Sequence, residues 1–480
     1  MGSSSWLGVF YSYFDAFLIV YTVTLQALYT TLTISGWSSV NRYVRLRPLR
    51  DYRYVGESPL SLPVTILVPA FNEEASVVES VESLLRSQFS QLQIVIVNDD
   101  STDDTLARIV DAFEMVQVSR VPRSGLPSAP VRGLWISRRD DRVLLVDKLN
   151  GGKADALNAG INYASYPLVC SIDADTILDP GALARLVWEF QSDPDTVATG
   201  GIVRIINGST MQDGALVHVQ TPHTMLANVQ IVEYLRAFLG GRIAWSRAGM
   251  LIIISGAFGL FRRDALVAAG GYDATCVGED AELVLRLYRS RADLGLPCRI
   301  SFFPDPICWT EAPSTMRTLA RQRDRWQRGL AQMLWRHKAM VFNRRYGRIG
   351  WFALPVFWLF ELFGPIIEAL GYILVPLGLI TGYVTVEVFL LLLALSTLYG
   401  FFLSLVVILM EERAFRRYPN WADLRRMTVA VFVENFGYRQ WMAFVRVRAM
   451  FRLRRRHQVW GDQERMGFTS VDEPAERQPS

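Results

Sequence analysis

Leu168-Val169-Cys170-Ser171-Ile172-Asp173-Ala174-Asp175-Thr176 is a short apolar run that ends in two carboxylates one residue apart. It reads as a buried strand, and alternation along a strand points Asp173 and Asp175 to the same side. Two hard oxygen ligands at a strand end suit Mg2+ or Mn2+, cations that complete their shell with phosphate oxygens. That is the local chemistry for holding a nucleoside diphosphate. The competing reading is a turn, because Asp-Ala-Asp-Thr followed by Asp179-Pro180 is also turn and helix-capping material. The choice rests on what the rest of the chain supplies.

Upstream, Val64-Thr65-Ile66-Leu67-Val68-Pro69 is a second compact apolar run, opening into Ala70-Phe71-Asn72-Glu73-Glu74. Ala75 to Ser87 then carries Val77, Val81, Leu84 and Leu85 at helical spacing. Gln93 to Val97 reads as a strand ending in Asn98-Asp99-Asp100-Ser101-Thr102-Asp103-Asp104, and Thr105 to Phe113 as another helix. Strand and helix in alternation predict a parallel sheet with right-handed crossovers. Ligands of such sheets bind beyond the carboxyl ends of the strands, where Asn72, Asp99 and Asp173 all fall. Ser119 to Asp141 is rich in Pro, Gly and Arg and reads as loop rather than core. Gly151-Gly152-Lys153-Ala154-Asp155-Ala156-Leu157-Asn158-Ala159-Gly160 starts a helix, with Lys153 near its N-terminus as a diphosphate contact. There is no Walker pattern.

In this order, Val68-Pro69-Ala70-Phe71-Asn72-Glu73, Val97-Asn98-Asp99, Gly152-Lys153-Ala154-Asp155-Ala156-Leu157-Asn158 and Asp173-Ala174-Asp175 resemble the family 2 glycosyltransferases of GT-A fold. The resemblance implies an α/β domain with a mostly parallel nucleotide-binding sheet and helices on both faces. It implies a donor site formed by Pro69, Ala70, Asn72, Glu73 and Lys153, with Asp99 on the uracil or ribose. Asp173 and Asp175 would carry the metal and, through it, the UDP diphosphate. Asp100 departs from the family pattern, which has Gly there, so this turn must accommodate a side chain.

Thr275-Cys276-Val277-Gly278-Glu279-Asp280 precedes an apolar-periodic helix over Leu283 to Arg291. A carboxylate at a helix N-terminus is favoured in its ionised form. By resemblance Glu279 contacts substrate and Asp280 is the general base that takes the proton of an acceptor hydroxyl. The alternative is an N-capping aspartate. Gln322-Arg323-Asp324-Arg325-Trp326 matches the Q-x-x-R-W signature of the processive, membrane-embedded members, the hyaluronan, cellulose, chitin-type and poly-N-acetylglucosamine synthases. Gln322, Arg325, Trp326 and Gly329 share one helical face, with Arg325 suited to a diphosphate and Trp326 to an acceptor sugar. The alternative is a basic interfacial helix with Arg321, Arg323 and Arg328 among lipid headgroups. Ser255-Gly256-Ala257-Phe258-Gly259-Leu260-Phe261-Arg262-Arg263-Asp264 resembles the family's acceptor-side segment.

Three stretches are apolar enough to span a bilayer, for which about 20 residues suffice: Val9 to Ile34, Trp351 to Ile380 and Val386 to Met410. Arg42, Arg45, Arg47, Arg50 and Arg53 follow the first, Arg344, Arg345 and Arg348 precede the second, and Arg413, Arg416, Arg417, Arg425 and Arg426 follow the third. The positive-inside rule puts all these flanks, and residues 54 to 350, in the cytoplasm. Pro355, Pro365 and Pro376 predict tilt or a kink in the second span. Glu361 and Glu368 fall on one face of it, as a polar path or as interhelical bonds. Phe444 to Arg456 alternates apolar residues with six arginines and reads as a basic helix on anionic lipid, with a nucleic-acid arm as the lesser reading.

Positive mean hydropathy agrees with membrane segments. Net charge is only +4, the four cysteines show no C-x-x-C spacing and the four histidines no metal-ligand spacing. Free thiols in a reducing compartment follow. The expected layout is a transmembrane helix and basic flank over 1–53, the transferase domain over 54–315 and interfacial helices over 316–350. A transmembrane hairpin over 351–410, basic amphipathic helices over 411–461 and a disordered tail over 462–480 complete it. The expected activity is inverting transfer from a UDP-sugar, UDP-N-acetylglucosamine by resemblance, to a growing β-linked polysaccharide or glycolipid at the plasma membrane. Transfer of a single sugar to a lipid carrier and a non-catalytic scaffold are the alternatives. Membrane lipids are expected partners and nucleic acid is not, with an export partner or a second copy of the chain left open.

Overall fold

The computed structural model describes residues 6–174, 176–212, 215–418 and 420–453. The strands in chain order are β1 (Val64–Ala70), β2 (Leu92–Asp99), β3 (Met115–Val118), β4 (Val131–Ser137), β5 (Val143–Lys148), β6 (Leu168–Ile172), β7 (Ile177–Leu178), β8 (Thr196–Ile205), β9 (Thr210–Gln212), β10 (Ala215–His218), β11 (Phe258–Arg262) and β12 (Arg299–Thr310). The helices are α1 (Trp6–Leu46), α2 (Tyr52–Glu57), α3 (Val77–Leu85), α4 (Thr105–Ala112), α5 (Lys153–Tyr163), α6 (Ala182–Ser192), α7 (Met225–Leu235) and α8 (Ile243–Arg247). They continue with α9 (Arg263–Ala268), α10 (Glu279–Asp293), α11 (Met316–Arg336), α12 (Leu354–Val356), α13 (Gly364–Ile380), α14 (Val386–Ala414), α15 (Trp421–Val433) and α16 (Arg439–Met450). Two compact units result. One is built from Arg45–His223 and Gly249–Ala312, the other from the segment ending at Val44, Thr224–Ala248 and the segment starting at Pro313.

The first unit is an α/β sheet in the order β3-β4-β5-β2-β1-β6-β11-β8-β12-β7. Its heart, β5-β2-β1-β6, is parallel. These are the apolar runs that bury both faces, as parallel strands must. Antiparallel β3 and β4 flank it on one side, and β11 runs antiparallel between β6 and β8 on the other. Helix α5 lies close on the sheet because Gly160 has no side chain; a β-carbon there would stand 3.0 Å from Leu67 and 3.2 Å from Val97. The reading of Ser119 to Asp141 as loop is corrected, since Val131–Ser137 is the strand β4. Arg132 and Gly133 interrupt its apolar alternation, and an antiparallel strand toward the sheet edge buries too little to need an apolar run.

The second unit is helical. Trp6–Leu49, Ile349–Ile380 and Val386–Ala414 are long and apolar enough to cross a membrane. Helices α1 and α13 run antiparallel, and Gly364, Gly371 and Gly378 recur every seventh residue on α13. A β-carbon at the first would lie 3.1 Å from the Tyr21 hydroxyl, at the second 3.6 Å from Leu18, and at the third would collide with Val384 and the Tyr11 ring. Bare backbone therefore lets the helices touch, as small residues do in membranes. Wide π-type turns at Ile349–Ala353 and Phe357–Leu362 precede α13, and Pro365 sits in its first turn. Pro355 lies between the two wide turns, and Pro376 lies inside α13.

Glu361 accepts a hydrogen bond from Tyr29 at 2.9 Å and faces Arg446 at 3.6 Å, while Glu368 pairs with Arg439 at 3.4 Å. Of the two readings of these carboxylates, this is the interhelical one: two carboxylates seven residues apart meet two arginines seven residues apart on antiparallel α16. The expectation of a basic amphipathic helix on anionic lipid over Phe444 to Arg456 is corrected at one residue. Arg446 turns inward and donates to Gln327 at 2.7 Å and to the Glu361 carbonyl at 2.6 Å. Residues 454–456 and the tail expected to be disordered lie outside the described residues.

Candidate active site

Gly152 caps α5 at φ 85°, a left-handed conformation that costs glycine nothing, and so delivers Lys153 as the first helical residue. The Lys153 ammonium forms an ion pair with Asp173, just past β6, and donates to the Gly256 carbonyl at 3.1 Å. The Asp173 N–H donates to the Ala257 carbonyl at 3.3 Å. This stitching follows from β11, which sets Phe258 opposite Ile172. Asp280 flanks Gly256 as well, since a β-carbon at position 256 would stand 2.9 Å from its Oδ2. The N-cap of α10 is Gly278, so Asp280, the second residue of the helix, is not the cap. Lys153 and Asp280 thus meet at one glycine, and Asp173 joins them through Lys153 and the neighbouring Ala257.

Burial pushes the Lys153 ammonium down, but Asp173, then Glu279 and Asp280, outweigh it and hold the group above the usual lysine range. Three carboxylates act on a single ammonium, and Asp173 remains partly exposed. That surplus of hard oxygen fits a divalent cation brought with a phosphate. Asp175, the second expected ligand, lies outside the described residues. Among the described residues, no three His, Cys, Asp or Glu side chains form a metal cluster by themselves.

The ends of β1 and β2 lie side by side, with Ala70 opposite Asn98. Asn72 and Asp100 just beyond them take φ 56° and 65°, which Asn and Asp tolerate better than other side chains. Asn72 accepts from the Thr102 N–H at 2.8 Å, and its own N–H donates to Ser101 at 3.1 Å, so the two loops are tied together. Glu73 is buried and accepts from Ser76 at 3.0 Å, while Pro69 and Ala70 lie within buried β1.

Asp99 is the residue expected on the uracil or ribose. Asp99 is fully buried and ion-paired with Lys148, and it accepts from the N–H groups of Gly151 at 3.0 Å and Gly152 at 2.8 Å. Burial raises its pKa against these three partners. Lys148, equally buried, also reaches Asp155 on α5 at 2.7 Å. The three charges hold the turn that carries Lys153. Lys148 escapes the sequence reading, although Val143-Leu144-Leu145-Val146-Asp147-Lys148 is one more apolar run with a charged end.

In the helical unit, α11 carries Gln322, Arg325 and Trp326 on one face. The Gln322 Oε1 is buried without a hydrogen-bond donor, Arg325 is half-buried and the Trp326 ring is 43 % exposed. Arg323 lies 4.3 Å from the Trp326 ring centroid and pairs with Glu233 at 2.7 Å. Arg328 is buried and pairs with Asp324 at 2.8 Å. The reading of Arg323 and Arg328 as headgroup contacts is therefore corrected; both are spent within the protein.

The sequence matches the family description "Glycosyl transferase family 2" over residues 65–266 and "Glycosyl transferase family group 2" over residues 168–409. The chain belongs to the family 2 glycosyltransferases, and it is a glycosyltransferase. It is similar to the poly-beta-1,6-N-acetyl-D-glucosamine synthases of Staphylococcus aureus strain COL, at 30% identity over 275 residues, and Staphylococcus epidermidis, at 28% over 273. In both cases the match spans 57% of this chain and 56% of the relative, about half of either. Among solved structures it is similar to a mannosyltransferase from Pyrobaculum calidifontis in complex with GDP-Man and Mn2+, at 17% identity and TM-score 0.47, covering 89% of this chain and 98% of that one. It is also similar to glucosyl-3-phosphoglycerate synthase from Mycobacterium tuberculosis, at 15% identity and TM-score 0.36, covering 60% and 84%.

Proposed function

We propose that this chain is a membrane-bound, inverting glycosyltransferase that takes a sugar from UDP, N-acetylglucosamine in particular, and elongates a β-linked polysaccharide on the cytoplasmic face. The observation that carries this reading is the meeting of Lys153 and Asp280 at Gly256, with Asp173 paired to Lys153. The relatives named as poly-beta-1,6-N-acetyl-D-glucosamine synthases support the donor and the polymer. The arginine flanks of the three apolar helices support the sidedness.

In the proposed reaction Asp280 accepts the proton of an acceptor hydroxyl. The hydroxyl oxygen forms its bond to the sugar C1 as the C1–O bond to the diphosphate breaks on the opposite face, so an α-linked donor gives a β-linked product. Lys153 meets the charge that develops on the departing diphosphate. Asp173 and Asp175 would hold Mg2+ or Mn2+, which supplies further positive charge to the phosphates.

The test measures UDP release from a panel of UDP-sugars, with Asp280→Asn beside the wild type. Release is expected with UDP-N-acetylglucosamine, and Asp280→Asn is expected to lower the rate by about 10²–10⁴-fold, the range for a general base, with UDP affinity unchanged. Unaltered turnover in Asp280→Asn removes that residue from the mechanism. Release with none of the UDP-sugars ends the donor assignment.

A further inference from the structure

Helix α5, which delivers Lys153, carries Asp155, Asn158 and Asn162 at positions i, i+3 and i+7, one face of the helix. Each of the three holds backbone from outside the helix. Asp155 accepts from the Ala129 N–H at 3.0 Å, and Asn162 both accepts from the Leu126 N–H and donates to the Leu126 carbonyl at 2.9 Å. Asn158 does the same for Tyr272. Its Oδ1 accepts from the Tyr272 N–H at 2.7 Å, its Nδ2 donates to the Tyr272 carbonyl at 2.9 Å, and Nδ2 also donates to the Pro127 carbonyl at 3.2 Å. Asparagine is a poor helix former, and a buried amide is costly unless it is hydrogen-bonded. This one is buried and bonded throughout, with every partner beyond α5. Gly271 permits the approach, because a β-carbon there would stand 2.4 Å from the Asn158 Oδ1, and its φ of 72° suits glycine.

Tyr272 in turn leads to the other two charged groups. Its hydroxyl donates at 3.2 Å to the Ser171 Oγ, on β6 two residues before Asp173. Its ring is buried, edge-on to Phe261 with 6.4 Å between centroids. Just beyond it, Asp273 accepts from the Thr275 N–H at 2.8 Å and the Thr275 hydroxyl at 2.6 Å, a tight turn that runs into Gly278 and Asp280. Burial pushes the Tyr272 hydroxyl up, and Glu279 and Asp280 add to this against the Ser171 bond, so the group stays protonated and a donor at any working pH.

We propose that Asn158 and Tyr272 are positioning residues for sugar transfer, a buried tie that sets the separation between Lys153 and Asp280 and fixes the strand carrying Asp173 to the same frame. The inference rests on the roles given to those three residues above. Lys153 serves the departing diphosphate and Asp280 the incoming hydroxyl, on opposite faces of one sugar carbon. Their spacing therefore enters the rate directly, and an error of about 1 Å costs about 10²-fold. Gly256 meets both from one side. Asn158, five residues after Lys153, and Tyr272, eight before Asp280, tie the same two segments together a second time. Both side chains are enclosed by protein, so they act through the charged groups and not by touching a substrate.

The test compares the wild type, Tyr272→Phe, Asn158→Ala and the double variant as full-length proteins in detergent with Mn2+. It measures UDP release at saturating UDP-sugar, UDP affinity by calorimetry, and thermal unfolding. Tyr272→Phe removes one hydroxyl and keeps the ring, and is expected to lower kcat about tenfold while UDP affinity and unfolding temperature hold. Asn158→Ala releases the Tyr272 backbone and is expected to lower kcat by about 10²-fold. Because the two form one tie, the double variant should be about as slow as Asn158→Ala, not slower by the product of the two losses. If Asn158→Ala does not fold, Tyr272→Phe decides alone. A Tyr272→Phe enzyme that keeps kcat within about twofold of the wild type overturns the inference and leaves the donor reading standing. So does one in which kcat, UDP affinity and unfolding temperature fall together, the mark of a general loosening. Losses that multiply in the double variant overturn the tie. A wild type that releases UDP from no UDP-sugar overturns the donor reading and this inference with it.

Discussion

Gly256 gives its carbonyl to Lys153 and its bare α-carbon to the flank of Asp280. Gly256→Ala sets a methyl group against that carboxylate and is expected to lower kcat by about 10²-fold, the cost of misplacing a reacting group by about 1 Å. The UDP dissociation constant, measured in parallel, should hold, which separates this effect from loss of the site. Lys153 adds a pH signature. Its folded-state pKa is raised, so its contribution to stability is complete below the usual lysine value of about 10.4 and is lost as pH rises through the folded value. The stability gap between wild type and Lys153→Met should therefore be level from neutral pH to about pH 9 and close only in stronger alkali. Chemical unfolding across that range reads it. The individual site residues were legible because carboxylates at the ends of apolar runs stand out. Which of two adjacent aspartates faces outward was not, because burial of Asp99 depends on Lys148, a residue from another strand.

The same division between local and distant information runs through the elements. β1, β2 and β6 could be read because each buries both faces, so its sequence is apolar throughout. β4 could not, since Arg132 near its start answers to Asp147 and Asp100 rather than to its own neighbours. Likewise Arg446 of α16 reads as part of a basic face on lipid until Glu361 is set beside it. That pairing predicts coupling. A double-mutant cycle with Glu361→Gln and Arg446→Gln, followed by thermal unfolding in detergent, should give about 1 kcal/mol, within the range found for polar contacts between membrane helices. Additive losses would mean that the pair is incidental. The contact between α1 and α13 is tighter still, and Gly378→Val, which drives a branched side chain into Tyr11 and Val384, should cost about 1–3 kcal/mol in the same assay.

At the scale of the whole molecule, the proposal stands on which side of the bilayer each basic flank lies. The proposed reaction draws its donor from the cytoplasmic side, so Lys153, Asp173 and Asp280 serve it only if the segment after α1 stays inside. The arginines give the physical reason it should, because Arg45, Arg47, Arg50 and Arg53 resist translocation while the turn between α13 and α14 carries no Lys or Arg. Single cysteines at Arg53 and Glu387, both exposed, make this measurable in intact cells with a membrane-impermeant maleimide. The native thiols Cys170, Cys276 and Cys308 are buried and Cys298 is partly so, and replacing that last one with serine lowers the background. Glu387→Cys should label in intact cells and Arg53→Cys only after the membrane is opened. The reverse pattern would put the carboxylates around Gly256 on the side without donor and end the polymerase reading, whatever the geometry of the site. Labelling of both in intact cells would put the segment between α1 and α13 outside and mean that the α13–α14 hairpin does not cross.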